Sequence, residues 1–460
     1  MIKGNVGKRR WVFDRWLSTF LILFFSGIMI YNMLPSPSTP LLRASHENWS
    51  QLSDELRDSM QYAFQSYMRD AWKSDEYMPV KKRGLNTFGG RGLPIIDSLD
   101  TLFMMGLDTE FKSARHFVAH EFEFKGKLNV FENNVRTMGG LLSAYTLTKD
   151  PLFLSKAKMV GEVLLLAFQH RIPCGVIETK CPDFCGAQPW ASGHSITVEV
   201  GTLSLEFVAL SKFTGDTRWV DKITAINRFW QEHSSELLFR YINPVSEVVS
   251  GPVATIDSIY AYFLKLQVMT GDTLAGTLYR TFENYMAQQN IHGAFAKSMV
   301  PVNIEHTECF MGGMLILGQK YLKEGLALTE TCARMYTTNP SGLACDAVTI
   351  DGAGTIHCRR DVYLLRPEVV ESLFYAWRET RHPKWRKYAK DIWRAIVKWT
   401  RVGSGGFTTV RHVTRKSPHQ MDKQEFWLVE TLKYLWLIFQ PGDPLGDNVL
   451  NTKGHILPLF

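Results

Sequence analysis

A turn that recurs along the chain constrains its fold more than any other feature. Leu147-Thr148-Lys149-Asp150, Phe213-Thr214-Gly215-Asp216 and Met269-Thr270-Gly271-Asp272 each end one helix-period segment and open another. Weaker versions stand at Gly106-Leu107-Asp108, Gly318-Gln319-Lys320, Thr380-Arg381-His382 and Gln440-Pro441-Gly442-Asp443. Together they mark seven helical hairpins at intervals of about 40 to 65 residues, a period that belongs to repeat architectures. One helix of each pair is apolar nearly all round, as in Leu203 to Leu210, Ile259 to Val268 and Phe310 to Leu317, and is therefore buried. Its partner, such as Trp385 to Trp399 with a Lys and Arg stripe, is half-exposed. The expected fold is all-α, an (α/α)7 barrel of seven inner and seven outer helices over residues 51–460. An open solenoid is the alternative, since periodicity does not show closure. A chain of 460 residues, 45% hydrophobic, builds such a core without a disulfide framework.

The first fifty residues are of another kind. Trp16 to Leu34 runs nineteen residues without a charge and as a helix spans roughly 28 Å, about one hydrocarbon core. The basic tail, residues 1–15, precedes it, which keeps that side cytosolic and the body luminal or extracellular. No small-residue cleavage site follows, so an uncleaved signal-anchor is preferred over a signal peptide. Residues 35–50 form a short stem, with a glycosylation sequon at Asn48-Trp49-Ser50. The first fifteen residues hold +4 of the formal +7, so the other 445 are close to neutral and lack the footprint of a nucleic-acid binder. Seven cysteines in a lumen pair where geometry allows and leave at least one over. Cys174, Cys181 and Cys185 crowd one loop near His170 and His194. Their spacing is not a recognised zinc pattern, so a loop disulfide with one free thiol is preferred.

Apolar inner helices do not carry ionisable groups without a reason. Yet each begins with them: Asp97 and Asp100, Glu132, Glu199 and Glu206, Asp257, His306 and Glu308, Glu368 and Glu371, Glu430. Glu132, Glu199, Asp257, Glu368 and Glu430 each stand 13 to 18 residues before the following turn, at the same end of their helices. In a closed ring those ends converge on one mouth. Capping is an equal reading for Asp97. A ring of carboxylates around an apolar cavity has two main uses. One is to bind a hard cation through oxygen, and the other is to hydrolyse a glycoside with one protonated and one ionised carboxyl. Crowded acids raise one another's pKa and keep one protonated, while Arg136, one turn from Glu132, and Arg366, beside Glu368, bias the opposite way. Phe131, Phe207, Phe310 and Phe426 lie near the acids and suit the apolar face of a sugar.

At these residues the chain resembles the class I α-1,2-mannosidases, glycoside hydrolase family 47, from about Leu52 to Pro458. The resemblance rests on spaced motifs: Asp97-Ser-Leu-Asp-Thr-Leu102, Phe131-Glu-Asn-Asn-Val-Arg-Thr-Met-Gly-Gly140, Glu199-Val-Gly-Thr-Leu-Ser-Leu-Glu206, Ile256-Asp-Ser-Ile-Tyr260, His306-Thr-Glu-Cys-Phe310, Leu365-Arg-Pro-Glu-Val-Val-Glu371, Glu430-Thr-Leu-Lys433 and Asn451-Thr452. It implies an inverting, calcium-dependent (α/α)7 enzyme that trims high-mannose N-glycans from the secretory membrane system, in the Golgi or endoplasmic reticulum. It further implies Glu132 as general acid acting through a water, Glu368 as general base, and Asp257 as a third catalytic carboxylate. Glu199, Glu371 and Glu430 then line the site, Arg136, Arg366 and His306 form its polar wall, and Phe426 stacks on mannose. Thr452 ligates calcium, and Cys309 pairs with Cys332.

The departures from the family pattern are also specific. Lys453 stands where a carboxylate is usual after the calcium residue, Asp346 where a Glu is usual, and Ala261 where Tyr-Glu-Tyr is customary. Thr255 stands where the single-mannose endoplasmic-reticulum enzyme carries Arg, which implies removal of several mannoses. Lys453 and Asp346 keep a second reading open, a mannose-binding quality-control factor with weak or no catalysis.

Overall fold

The computed structural model describes residues 48–233, 238–253, 258–288, 302–423 and 427–460. The expected anchor at 16–34, and with it Thr255, Asp257 and Phe426, lies outside the described residues. Among the described residues no helix is long and apolar enough to cross a membrane.

The unit Trp49–Phe460 is a ring of alternating outer and inner helices. The outer ones are α1 (Trp49–Ala71), α3 (Asp108–His120), α5 (Pro151–Leu164), α7 (Arg218–His233), α9 (Thr273–Gln288), α11 (Leu322–Thr337) and α13 (Pro383–Thr400). The inner ones are α2 (Leu99–Met104), α4 (Gly139–Thr148), α6 (Ser204–Thr214), α8 (Ser258–Thr270), α10 (Phe310–Gly318), α12 (Glu368–Thr380) and α14 (Leu432–Phe439). Burial follows the sequence pattern. Every residue of α14 is buried, whereas α13 buries only a stripe through Trp385, Ala389, Ile392, Trp393 and Ile396. Each inner helix packs on the next, and α14 packs on α1, where Trp49 stacks on Phe439 at 5.6 Å. The two ends of the repeat therefore meet, which decides against the open solenoid. The seventh predicted turn, at Gln440, is followed by a strand rather than a helix, so α14 takes α1 as its outer partner.

The recurring turn has a physical basis that repeats with it. The Thr148, Thr214, Thr270 and Thr380 hydroxyls donate to the carbonyl four residues back and accept the backbone N–H two residues on. The residue between is left-handed: Lys149 (φ 58°), Gly215 (φ 73°), Gly271 (φ 74°) and Arg381 (φ 52°). Asp150, Asp216, Asp272 or His382 then accepts a backbone N–H at the start of the next helix. One four-residue device thus ends an inner helix, reverses the chain and starts the outer one.

The all-α expectation needs correction. Among the described residues six small antiparallel sheets accompany the helices, several of them where an outer helix returns to the next inner one. Their strands run two to six residues and show no clean alternation, so no period-2 signal marks them. One hairpin, Asn448–Leu450 with Ile456–Pro458, carries the motif Asn451-Thr452 on its tip. That tip enters the ring. Asn451 donates to Glu206 (2.7 Å) and to the Val135 carbonyl (2.8 Å), and the Ile456 N–H donates to Ser143 (2.8 Å). Gly139 makes room for it, because a Cβ there would lie 2.6 Å from the Asn451 amide nitrogen. Disulfides join Cys309 to Cys332, Cys174 to Cys185 and Cys345 to Cys358, with Cys181 free and exposed. The first is the pairing the resemblance implies, and the second matches the loop disulfide with a free thiol.

Candidate active site

Two inner helices open with a π-helical turn, residues Asn133–Met138 before α4 and Trp427–Thr431 before α14. Such turns widen the helix and cluster at functional sites. The first follows a short helical turn capped by Asn129, whose side chain accepts the Glu132 N–H at 2.8 Å. Glu132 and Arg136 share a face as the sequence predicts, 3.9 Å apart, but the guanidinium bonds mainly to Asp97 at 2.6 Å. The Phe88 ring lies 5.2 Å from it. Asp97 is wholly buried at the end of its own short helix, so the capping alternative is not what the structure displays.

These groups line one lobe of a cavity, with Tyr77 and Leu428. A second lobe is lined by Phe310, Arg366, Glu368, Glu371, Tyr262 and Thr452. Glu430 and Lys453 line both and join them. Glu368 begins α12 and faces His306, whose Nδ1 lies 3.1 Å away and whose Nε2 lies 2.9 Å from the Tyr336 hydroxyl. Just before it, the buried Leu365 holds a left-handed φ of 60°, and its carbonyl accepts the Thr431 hydroxyl. A branched aliphatic residue held in that conformation is strained, and such strain gathers at functional sites. Arg366 donates to Asp346 at 2.6 Å, and Arg360 approaches the other oxygen of the same carboxylate at 2.7 Å. The shortened acid at position 346 thus fixes Arg366.

The electrostatics separate the acids. Burial, reinforced by Glu132, pushes Glu199 up to about 7. Burial also pushes Glu430 up to about 7, with Lys453 opposing and Glu368 and Glu371 adding to the rise. Glu371 is raised by burial although Lys265 stands 3.5 Å from it. One oxygen each of Glu199 and Glu430 has no hydrogen-bond partner among the described residues. Both carboxyls are therefore about half protonated near neutrality, where an ordinary carboxyl is ionised.

The structure brings Glu132, Arg136, Glu368, Glu371, Glu430, Arg366 and Thr452 to the cavity, with His306 directly behind Glu368. Glu199 lies in an adjoining crevice with Phe131. Three of the acids in the ring serve the scaffold instead. Glu206 receives Asn134, Tyr262 and Asn451 and holds the C-terminal hairpin. Glu308 forms a capping box with Glu305. Asp100 is buried against Lys433 and His455. Phe207 is fully buried and belongs to the core. Sequence reasoning missed Lys265, Tyr336 and the inward course of Lys453. A lysine in the otherwise apolar run of α8 is the signal that marks Lys265.

The glycosyl hydrolase family 47 profile matches residues 59–459. The chain is 34% identical to the mannosyl-oligosaccharide 1,2-alpha-mannosidase MNS1 of Arabidopsis thaliana over 89% of its own length and 79% of that protein's. It is also 34% identical to the human mannosyl-oligosaccharide 1,2-alpha-mannosidase IC, over 88% and 70%. Its fold superposes on the alpha-1,2-mannosidase of Trichoderma reesei with a TM-score of 0.80 at 24% identity, covering 89% of this chain and 99% of that one. With its motifs in order along a closed helical ring, the chain belongs to glycosyl hydrolase family 47.

Proposed function

We propose that this protein hydrolyses terminal α-1,2-linked mannose from high-mannose N-glycans, with inversion and with removal of several residues. The observation that supports it is the two-lobed cavity, with Glu132 in one lobe, Glu368 in the other and Glu430 between them. In this reading Glu132 supplies the proton to the leaving oxygen through a water, with Arg136 beside it to fix its orientation. Glu368, steadied by His306, draws the proton from the attacking water. Asp257 and Phe426 belong to the same proposal as third carboxylate and stacking aromatic. Residues 16–34 would anchor the chain in the Golgi or endoplasmic-reticulum membrane with the body luminal.

The calcium that the resemblance implies would be held by the carbonyl and hydroxyl oxygens of Thr452 and would supply positive charge for binding sugar hydroxyls. The residues present fit it poorly. Thr452 offers oxygen, but the Lys453 ammonium occupies the same cavity, 3.6 Å from Glu430.

Incubating the full chain with a nine-mannose N-glycan and weighing the products tests the function. Loss of several hexoses supports the proposal, and an intact glycan contradicts it. The position of Lys453 favours one rival, a mannose-binding factor without turnover, which would be retained on immobilised mannose yet leave the glycan intact.

A further inference from the structure

We infer that the Lys453 ammonium stands in for a divalent cation in this cavity, so that the protein neither needs nor holds calcium there. The inference rests on the reading of the cavity as a mannoside site and deepens it.

The backbone on both sides of Lys453 is pinned. Its N–H donates to Asn451 at 2.8 Å, and Asn451 is itself fully buried and bonded to Glu206. The Thr452 N–H reaches the Tyr262 hydroxyl at 3.3 Å. Gly454 takes a left-handed φ of 68°, and its carbonyl accepts the buried Lys433 ammonium at 2.7 Å. With its neighbours held this way, the side chain runs inward and is only 17% exposed. Its ammonium lies 3.6 Å from a Glu430 oxygen that no hydrogen bond satisfies among the described residues. Glu132, Asp97 and Arg136 line one lobe of the cavity with it, and Glu368 and Glu371 line the other.

A water-rich calcium shell anchored on Thr452 would lie one residue from this ammonium and would need the same acids to balance its charge. Like charges in a cavity of low dielectric repel strongly, and the ammonium and the ion would compete for the same carboxylates, Glu368, Glu371 and Glu430. A lysine built into the chain supplies one positive charge permanently, without an ion to lose. The sugar would then meet an ammonium with three donors in place of a metal with exchangeable waters.

The test is a melting comparison of the full chain in millimolar calcium and in EDTA, repeated on Lys453→Glu, with equilibrium dialysis of calcium alongside. We expect the wild-type midpoint to differ by less than about 1 °C between the two conditions, and dialysis to find no bound calcium. We expect Lys453→Glu to gain one site and a rise of several degrees in calcium. A wild-type midpoint that falls in EDTA, or one calcium bound per chain, overturns the inference, and this holds even if the variant fails to fold. Calcium-indifferent melting with no cleavage of any mannoside supports this inference while it refutes the mannosidase reading.

Discussion

Two groups of buried acids in this protein behave in opposite ways. Asp97, in the wall of one lobe, and Asp100 are fully buried, yet their carboxyls are held below the usual range. Burial alone would raise both. Arg136 and His455 overcome it at Asp97, and Lys433 and His455 overcome it at Asp100. Asp100 has every acceptor engaged, by Lys433 at 2.8 Å, Ser143 at 2.7 Å, His455 at 3.0 Å and the Thr101 N–H at 2.7 Å. Glu430 in the cavity and Glu199 in its crevice each leave an oxygen without a hydrogen bond among the described residues, and both rise to about 7. The difference teaches that burial does not mark a site. Close cationic partners hold Asp97 and Asp100 ionised, whereas Glu206, met by three neutral donors, is still raised by burial.

Substitutions can break or sharpen this contrast. The largest effect is expected at the cavity: Glu132→Gln or Glu368→Gln lowers turnover by about 10²–10⁴-fold, read in a steady-state assay of mannose release, while the urea midpoint barely moves. At the ion-paired aspartates the effect falls on stability. Asp100→Asn leaves the Lys433 ammonium buried without its carboxylate and costs about 3–5 kcal/mol in urea unfolding. The pH profile follows from the signs of the shifts. Glu199 and Glu430 have raised folded pKa values, so the folded state retains protons that the unfolded chain has released. Their contribution to stability fades as pH rises from the ordinary carboxylate range through about 7. Asp97 and Asp100 have lowered values, so their contribution is present above the ordinary carboxylate range and is lost as pH falls below it. A pH-melting series with loss at both ends supports this, and one flat from 5 to 8 contradicts the assignment at Glu199 and Glu430. The smallest effect belongs to Glu199→Gln. It removes a carboxyl that costs stability when ionised and should leave the melting point at pH 8 unchanged or higher, within about 1 kcal/mol, while activity falls.

The ring itself was legible in the sequence because its turns are chemical. A threonine hydroxyl, a left-handed residue and a capping aspartate can be read at fixed spacing, and so can an inner helix with no polar side. The convergence of acids followed from counting back to those turns, and three of the acids so counted, Glu132, Glu368 and Glu430, line the two-lobed cavity. What it could not do was separate Glu430 from Glu206, since both stand near the start of an apolar helix. Their roles are set by Asn134, Tyr262 and Asn451, which come from three separate segments of the chain. The small sheets escaped because strands of two to six residues carry too few positions to alternate. The inward turn of Lys453 escaped for another reason. Its direction is fixed by Asn451 and Gly454 on a hairpin tip, a backbone property that composition does not express.

The central claim is that acids on opposite lobes of one cavity act together on a mannosidic bond, one giving a proton and the other drawing one from water. Proton NMR of the full chain acting on an α-1,2-mannoside tests it most directly, because the anomeric signal that grows first reports the path of the water. The account predicts that β-mannose appears first and then equilibrates. Initial release of α-mannose, or no release while Glu132 and Glu368 are both intact, would contradict it.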